Sequence, residues 1–117
     1  MTNENVHKQA EQFHGSGDMN RDQMSRIIYT QGINMLLTNG ASWAVSDAMT
    51  ILKMVEKVRN EEFVAINIKS TGSEATITYT DGNENTLYTQ KYGFTDMVEG
   101  ETKLFFTNNT LMLAGEY

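Results

Sequence analysis

The sequence predicts an α+β fold in which two or three N-terminal helices pack on one face of a four- to five-stranded antiparallel meander. Apolar residues recur at steps of three and four through the first half and alternate with polar residues after Glu62. Turn segments rich in Gly, Asn and Asp divide the second half into short strands. Because both apolar stripes must be buried, the helices are expected to lie across the sheet. The length of 117 residues suits one such domain.

The helical half contains two start signals. Thr30 can cap a helix through Leu37, because its hydroxyl can accept hydrogen bonds from the free N–H groups of the first turn. Asn39-Gly40 is a stop signal, since both residues adopt the left-handed conformation at low cost. Ser42 is the second N-cap candidate, for a helix from Trp43 to about Arg59. The apolar stripe of that helix comprises Ala44, Val45, Ala48, Ile51, Leu52, Val55 and Val58.

The first 25 residues are polar and differ in this respect from the rest of the chain. Apolar spacing allows a short helix over residues 4–13, and the segment His14-Gly15-Ser16-Gly17-Asp18 ends it. We therefore predict a loose N-terminal arm over residues 1–25 and a single α+β domain over residues 26–117.

The central hairpin has a clear turn and an open register. Asp81-Gly82-Asn83 is a strong turn signal between strands at about 75–80 and 86–92. The length of the loop, two or three residues, decides which of Leu87 and Tyr88 lies on a given face, because a shift of one residue exchanges the two faces of a strand.

The last hairpin is better determined and supplies the candidate binding surface. Asn108-Asn109 suits a type I′ turn, which pairs Phe105 with Met112. The opposite face then carries Leu104, Phe106, Leu111 and Leu113. If the helices cover the leucine face, Phe105 and Met112 form an exposed apolar patch, to which Tyr88 adds if it points the same way. Such patches mark protein contacts, so these three are the candidate protein-binding residues. The alternative is that the N-terminal arm or a second copy of the chain, in a homodimer, covers them.

Composition excludes several classes of function. The net charge of -6 argues against a nucleic-acid binder, which needs basic residues to displace phosphate counterions. It suits a basic partner, or simply solubility. The absence of Cys excludes disulfides and Cys-based metal sites. The longest apolar run is far below the roughly 20 residues of a membrane span, and no secretory signal begins the chain, so we expect a cytoplasmic protein.

Catalytic and metal chemistry have no support in the sequence. His7 and His14 are the two imidazoles, they lie in the polar arm, and no third ligand is near. No nucleophile motif accompanies either residue. We therefore expect no enzyme activity, no metal and no cofactor.

A second candidate site involves the helix from Trp43. Asp47 lies one turn after Trp43 at the margin of the apolar stripe, and a partly buried carboxylate needs hydrogen-bond donors. The simplest roles are a loop-capping carboxylate and a packing indole. With Tyr29, these residues could instead line a pocket between the second helix and the sheet for a small molecule such as a nucleotide.

Several segments together resemble a known but uncharacterised family. They are Phe13-His14-Gly15-Ser16, Tyr29-Thr30-Gln31-Gly32-Ile33, Ala41-Ser42-Trp43-Ala44-Val45-Ser46-Asp47-Ala48, Asp81-Gly82-Asn83, Leu87-Tyr88-Thr89-Gln90 and Leu111-Met112-Leu113-Ala114-Gly115-Glu116-Tyr117. In order and spacing, over roughly residues 13–117, they resemble a family of small proteins from phages, plasmids and other bacterial mobile elements. That family has a Tyr-Thr-Asp-Gly-Val opening, from which Gln31 departs. The resemblance implies a mobile-element setting and no particular activity.

These observations support two functional hypotheses. The leading one is a non-enzymatic phage or mobile-element accessory protein that binds a host or defence protein, for example as an anti-CRISPR inhibitor. The second is a small-molecule binder, such as a nucleotide sponge, or a minor enzyme.

Overall fold

The computed structural model of the chain describes residue 7 and residues 19–38, 40–83, 85–95 and 97–117. Within them the fold is mixed α+β, as the sequence predicts. The strands are β1 (Met19–Arg21), β2 (Ile28–Thr30), β3 (Phe63–Ser70), β4 (Ala75–Thr80), β5 (Thr86–Tyr92), β6 (Gly100–Thr107) and β7 (Thr110–Leu113). The helices are α1 (Gln31–Thr38), α2 (Ser42–Met54) and α3 (Glu56–Arg59), and a 3₁₀ turn at Ala114–Glu116 follows β7.

The sheet is larger than predicted, and its strand order is not that of a meander. In the part of the chain that the structure describes, seven strands follow the order β1-β2-β7-β6-β3-β4-β5. Among the described elements from residue 19 onward, strands β1 and β2 precede α1, so α1, α2 and α3 follow the first two strands instead of preceding the sheet. Each of these two strands has three residues, too few for an alternating pattern to identify. Strand β2 pairs in parallel with β7.

Strand β6 leaves the predicted order because it pairs with β3 rather than with β5. The pairing covers eight residues of each strand, from Phe63 opposite Thr107 to Ser70 opposite Gly100. Alternation of side chains gives each strand its two faces but does not choose its neighbour. The connection over residues 93–99 is long enough to reach β3, so β6 is not tied to β5 by a tight turn.

The helix start and stop signals are largely correct. The N–H of Ile33 donates to Thr30 Oγ1 at 3.4 Å, and Gly40 has a φ of 96°. The long second helix, however, is interrupted at Val55, which is extended with φ -90° and ψ 115°. Its N-cap is Ala41, with no side-chain bond, and Ser42 is the first helical residue.

The core joins the helices to one face of the sheet. Buried side chains of α2 form one cluster with alternate residues of the strands. The strand residues are Val64, Ile66 and Ile68 of β3, Ile77 and Tyr79 of β4, Leu104 of β6, and Leu111 and Leu113 of β7. The helices therefore cover this face, and the opposite face of the sheet, called here the open face, lies away from them.

Residues 19–25, which belong to the polar N-terminal segment, form β1 and part of the turn that leads to β2. The β1–β2 turn is closed by Asp22, whose N–H donates to the Ile27 carbonyl at 2.8 Å. Its side chain accepts from the N–H and hydroxyl of Ser25, and these bonds hold the pKa of the Asp22 carboxyl below its usual value. His7 is buried, with Nδ1 at 2.6 Å from Thr102 Oγ1. The rest of residues 1–18, with the expected helix at 4–13, lies outside the described residues.

Candidate functional site

The open face is organised in rows of side chains that run across the strands. In order, the rows are Thr110, Thr107 and Phe63; Met112, Phe105, Ala65 and Thr80; Lys103, Asn67 and Thr78; and Glu101, Lys69, Thr76 and Lys91. The face is thus aromatic and apolar at one end, polar in the middle and charged at the other end.

An aromatic triad, formed by Phe63, Phe105 and Tyr117, occupies the apolar end. The ring centroids of Phe63 and Phe105 are 5.1 Å apart. The Tyr117 ring meets them edge to face at 5.5 Å and 5.2 Å, respectively. These are favourable geometries for aromatic pairs. Tyr117 is nevertheless 72% exposed, so the triad presents ring surface to solvent.

Glu116 is what places Tyr117 over the sheet. Its Oε1 accepts hydrogen bonds from Thr30 Oγ1 at 2.6 Å and from the Leu113 N–H at 3.0 Å. Its Oε2 accepts from the N–H of Gly32 at 3.2 Å. Gly32 lies in the first turn of α1, where backbone N–H groups lack helical partners and a carboxylate is stabilising. The 3₁₀ turn is thereby fixed to the start of α1.

Two of the segments that carry the family resemblance meet at this contact. Thr30 and Gly32 belong to one of them, and Glu116 belongs to the other. A Cβ on Gly32 would collide with Glu116 Oε1 and lie 2.7 Å from Leu113 Cδ1. The glycine is therefore required by the close approach of the two segments.

A groove of about 630 Å³ runs along the open face beside the triad. Its floor comprises Ala65, Asn67, Thr78 and Thr80. The triad forms one end, and Glu101 and Lys103 form the other. Asn67 Nδ2 donates to Glu101 Oε2 at 2.7 Å, which holds that carboxylate. The volume is typical of a ligand site, although the groove is open along its length.

The structure places Phe105 and Met112 as the sequence predicts. They are cross-strand partners on the open face, and both are half-buried. The turn between their strands has positive φ values of 53° at Asn108 and 57° at Asn109, as a type I′ turn requires.

Tyr88 does not join them. It pairs with Tyr79, a fully buried core residue, so it lies on the helix-covered side, with the two ring centroids 6.1 Å apart. The ladder shifts register between Tyr79 and Thr80, which leaves Leu87 as an extra residue in β5. Leu87 packs against the core. The assumption that neighbouring residues take opposite faces fails at such a bulge.

Sequence reasoning missed two members of the triad. Phe63 has the same parity along β3 as Ala65 and Asn67, so the alternation of that strand was sufficient to place it on the open face. Tyr117 carried no such signal, because its position depends on bonds from Glu116 to residues more than 80 positions away.

The alternative pocket residues are not brought together. The Tyr92 hydroxyl donates to Asp47 Oδ2 at 2.6 Å, and the Trp43 and Tyr92 rings meet with centroids 4.8 Å apart. Burial and the Asp47 carboxylate raise the pKa of Tyr92. Tyr29 lies on β2, and four strands separate β2 from β5, which carries Tyr92. The space beside Trp43 and Asp47 thus contains the Tyr92 side chain.

A second groove, of about 310 Å³, lies between the β1–β2 turn and α2. Met24, Met49 and Met54 line it, and the first is 95% exposed. Among the described residues, no group of three or more His, Asp and Glu is placed to hold a metal ion. None of the described helices has the length and apolar character needed to cross a membrane.

Comparisons with known proteins give one match. No curated protein and no solved structure matches the chain. A family described only as being of unknown function, DUF6876, matches residues 4–117, which include both the triad and the groove. The chain therefore belongs to the DUF6876 family of unknown function.

Proposed function

We propose that this protein acts by binding another protein through the open face of its sheet, with the aromatic triad as the anchor. The observation that carries the proposal is the aromatic triad, in which Tyr117 is 72% exposed and Phe63 and Phe105 are half-buried, on a face that no described helix covers. Large aromatic side chains are enriched at protein interfaces and in the residues that dominate binding energy.

The rings of the triad contact one another, which favours tight binding. Two of them stand on adjacent strands, and the third follows Glu116, whose side chain is hydrogen-bonded to the start of α1. Ordering a mobile side chain on binding costs about 0.5–1.5 kcal/mol, and side chains that are already fixed avoid most of that cost.

The biological setting is proposed from the family resemblance. We place the protein as a non-enzymatic accessory protein of a phage or other mobile element, and its partner as a host or defence protein. Inhibition of a host defence system, such as an anti-CRISPR activity, is one form that this binding takes. The resemblance supports the setting, and the triad supports the mode of action.

Nucleotide binding near Trp43 and Asp47 is the weaker proposal. Tyr92 contacts both residues, and Tyr29 lies elsewhere in the sheet. Thermal-shift measurements with mono-, di- and cyclic nucleotides test it. A nucleotide at a hundred times its dissociation constant should stabilise the fold by about 2.7 kcal/mol. We expect no shift.

The test of protein binding compares two single substitutions of exposed aromatic residues. Tyr117→Ser removes a triad ring that is 72% exposed, and Phe94→Ser, the matched control, removes a ring that is 85% exposed in the β5–β6 connection. Both variants should keep the circular dichroism spectrum of the parent.

Purified defence proteins from the host are then measured against each variant by biolayer interferometry. We expect one partner whose affinity falls at least tenfold, or about 1.4 kcal/mol, with Tyr117→Ser and stays within twofold with Phe94→Ser. Equal affinity of both variants for every partner found would show that the open face is not the binding surface.

A further inference from the structure

The open face has the opposite charge to the chain as a whole. The chain has a net charge of -6. The strands β3 to β6 present Lys69, Lys91 and Lys103 on this face, against the single carboxylate of Glu101. Three lysines and one glutamate give this part of the face a net charge of +2.

The three lysines form a cluster at one end of the face. Lys69 and Lys91 both lie opposite Thr76, on the two strands that flank β4. Lys103 is one row closer to the triad. All three are exposed. Glu101 accepts a hydrogen bond from Asn67, and the carboxylate oxygens of Glu116 accept hydrogen bonds from three donors.

The apolar and the basic parts of this face are separated along the strands. Phe63 and Phe105 lie at one end of the paired stretch of β3 and β6, and Lys69 lies toward the other end. An acidic ligand with an apolar anchor would therefore have one preferred direction on the face.

We propose that the partner docks an extended acidic segment on this face, with an aromatic or aliphatic anchor on the triad and its carboxylates on the three lysines. This inference rests on the proposed function and specifies the chemistry of the partner. Charge complementarity of this kind raises the association rate and selects among partners.

The distance between the rows of side chains on the open face predicts where acidic residues lie along the docked segment. Successive residues on one face of a strand are about 6.6 Å apart, so Lys103 lies one such step from Phe105, and Lys69 lies two steps away. An extended peptide rises about 3.3 Å per residue. Acidic residues are therefore expected about two and four positions from the anchor.

A random peptide library displayed on yeast is the probe, selected against the 117-residue chain. We expect enriched peptides to combine an apolar anchor with Asp or Glu at those positions. Raising the ionic strength from about 0.1 M to about 1 M shortens the Debye length from about 10 Å to about 3 Å, and should weaken the enriched peptides at least tenfold.

Matched double variants distinguish the effect of the lysines on this face from the effect of the net charge of the chain. Lys69→Gln/Lys103→Gln should weaken the enriched peptides about tenfold and remove most of the salt dependence. Lys57→Gln/Arg59→Gln changes the net charge equally but lies on α3, and should leave affinity within twofold.

The outcomes distinguish this inference from the proposed function. Peptides that need Tyr117 but carry no acidic residues would overturn the acidic partner and leave protein binding intact. Selection of no peptide that needs Tyr117 would overturn both. Lysine-dependent binding of a labelled single-stranded oligonucleotide, measured by anisotropy, or self-association that Tyr117→Ser abolishes, would assign the face to nucleic acid or to a second copy and overturn the inference.

Discussion

Gly32 shows how one residue joins distant parts of the chain. Alanine normally stabilises a helix by about 1 kcal/mol relative to glycine. At Gly32 the added methyl group would meet Glu116 and Leu113, so we expect Gly32→Ala to lower the free energy of unfolding by about 1–3 kcal/mol. Urea denaturation measures the change. Gly93→Ala is the control, since no atom lies within 4 Å of its added Cβ, and should stay within about 0.5 kcal/mol. A Gly32→Ala variant as stable as the parent would show that the contact is loose.

Buried tyrosines should make the fold sensitive to alkaline pH. Burial raises the pKa values of Tyr79 and Tyr92 above the ordinary 10.0. In the unfolded chain both groups lose their protons from about pH 10 upward, whereas the folded chain keeps them. The free energy of unfolding should therefore be constant below that pH and fall above it. Urea denaturation between about pH 8 and 11 should show this decline, less steep in Tyr92→Phe. An identical slope in the variant would rule out a role for this hydroxyl.

Local signals in the sequence were sufficient for some residues. Thr30 caps α1, and Asn108-Asn109 forms the expected turn, because each role depends on atoms within a few residues. The face of Tyr88 was left open by the sequence, because the register of β5 includes a bulge and a bulge leaves no mark in the alternation. Tyr117 was missed because long-range hydrogen bonds of Glu116 position it.

At the scale of the element, β3 provides the sharpest test of which face is buried. Ile68 and Lys69 are neighbours on the same strand, and the first is 1% exposed against the helices, whereas the second is exposed on the open face. Ile68→Ala should cost about 2–5 kcal/mol of stability. Lys69→Ala should cost less than about 0.5 kcal/mol. Comparable losses in thermal or urea denaturation would contradict the assignment of faces.

The same strand explains why the expected meander was wrong. Turn signals identify only strands that are joined by tight hairpins, as β3 with β4 and β6 with β7 are. The pairing of β6 with β3 is decided by packing across the molecule, and the parallel contact of β2 with β7 involves only two residue pairs. The break at Val55 was likewise hidden in the sequence. Val58, which follows the break, keeps the apolar spacing of the helix and is buried.

At the scale of the whole molecule, the strand order predicts a gradient of protection against hydrogen exchange. Strand β3 is paired on both sides, with β4 and β6, whereas β5 and β1 end the sheet. Amides in the centre of a sheet exchange only through larger openings than those at an edge. We expect peptides covering Phe63–Ser70 to exchange last, and those covering Thr86–Tyr92 to exchange early, in mass-spectrometric hydrogen exchange. Faster exchange in β3 than in β5 would contradict the strand order.

Net charge is also a property of the whole molecule, and it concealed the local arrangement. A value of -6 suggested a basic partner. The open face has the reverse sign because most described carboxylates lie in helices, turns and loops, while Lys69, Lys91 and Lys103 lie on strands. The net charge adds the charges of all these regions, and the strand register is needed to identify the charges that lie on the open face.

The contact of Tyr117 with Phe63 and Phe105 has a practical consequence for work at the bench. A bulky probe attached to Tyr117 would therefore lie beside these rings and would block access to them. A label on the helix-covered side of the molecule would leave the rings accessible in a binding assay.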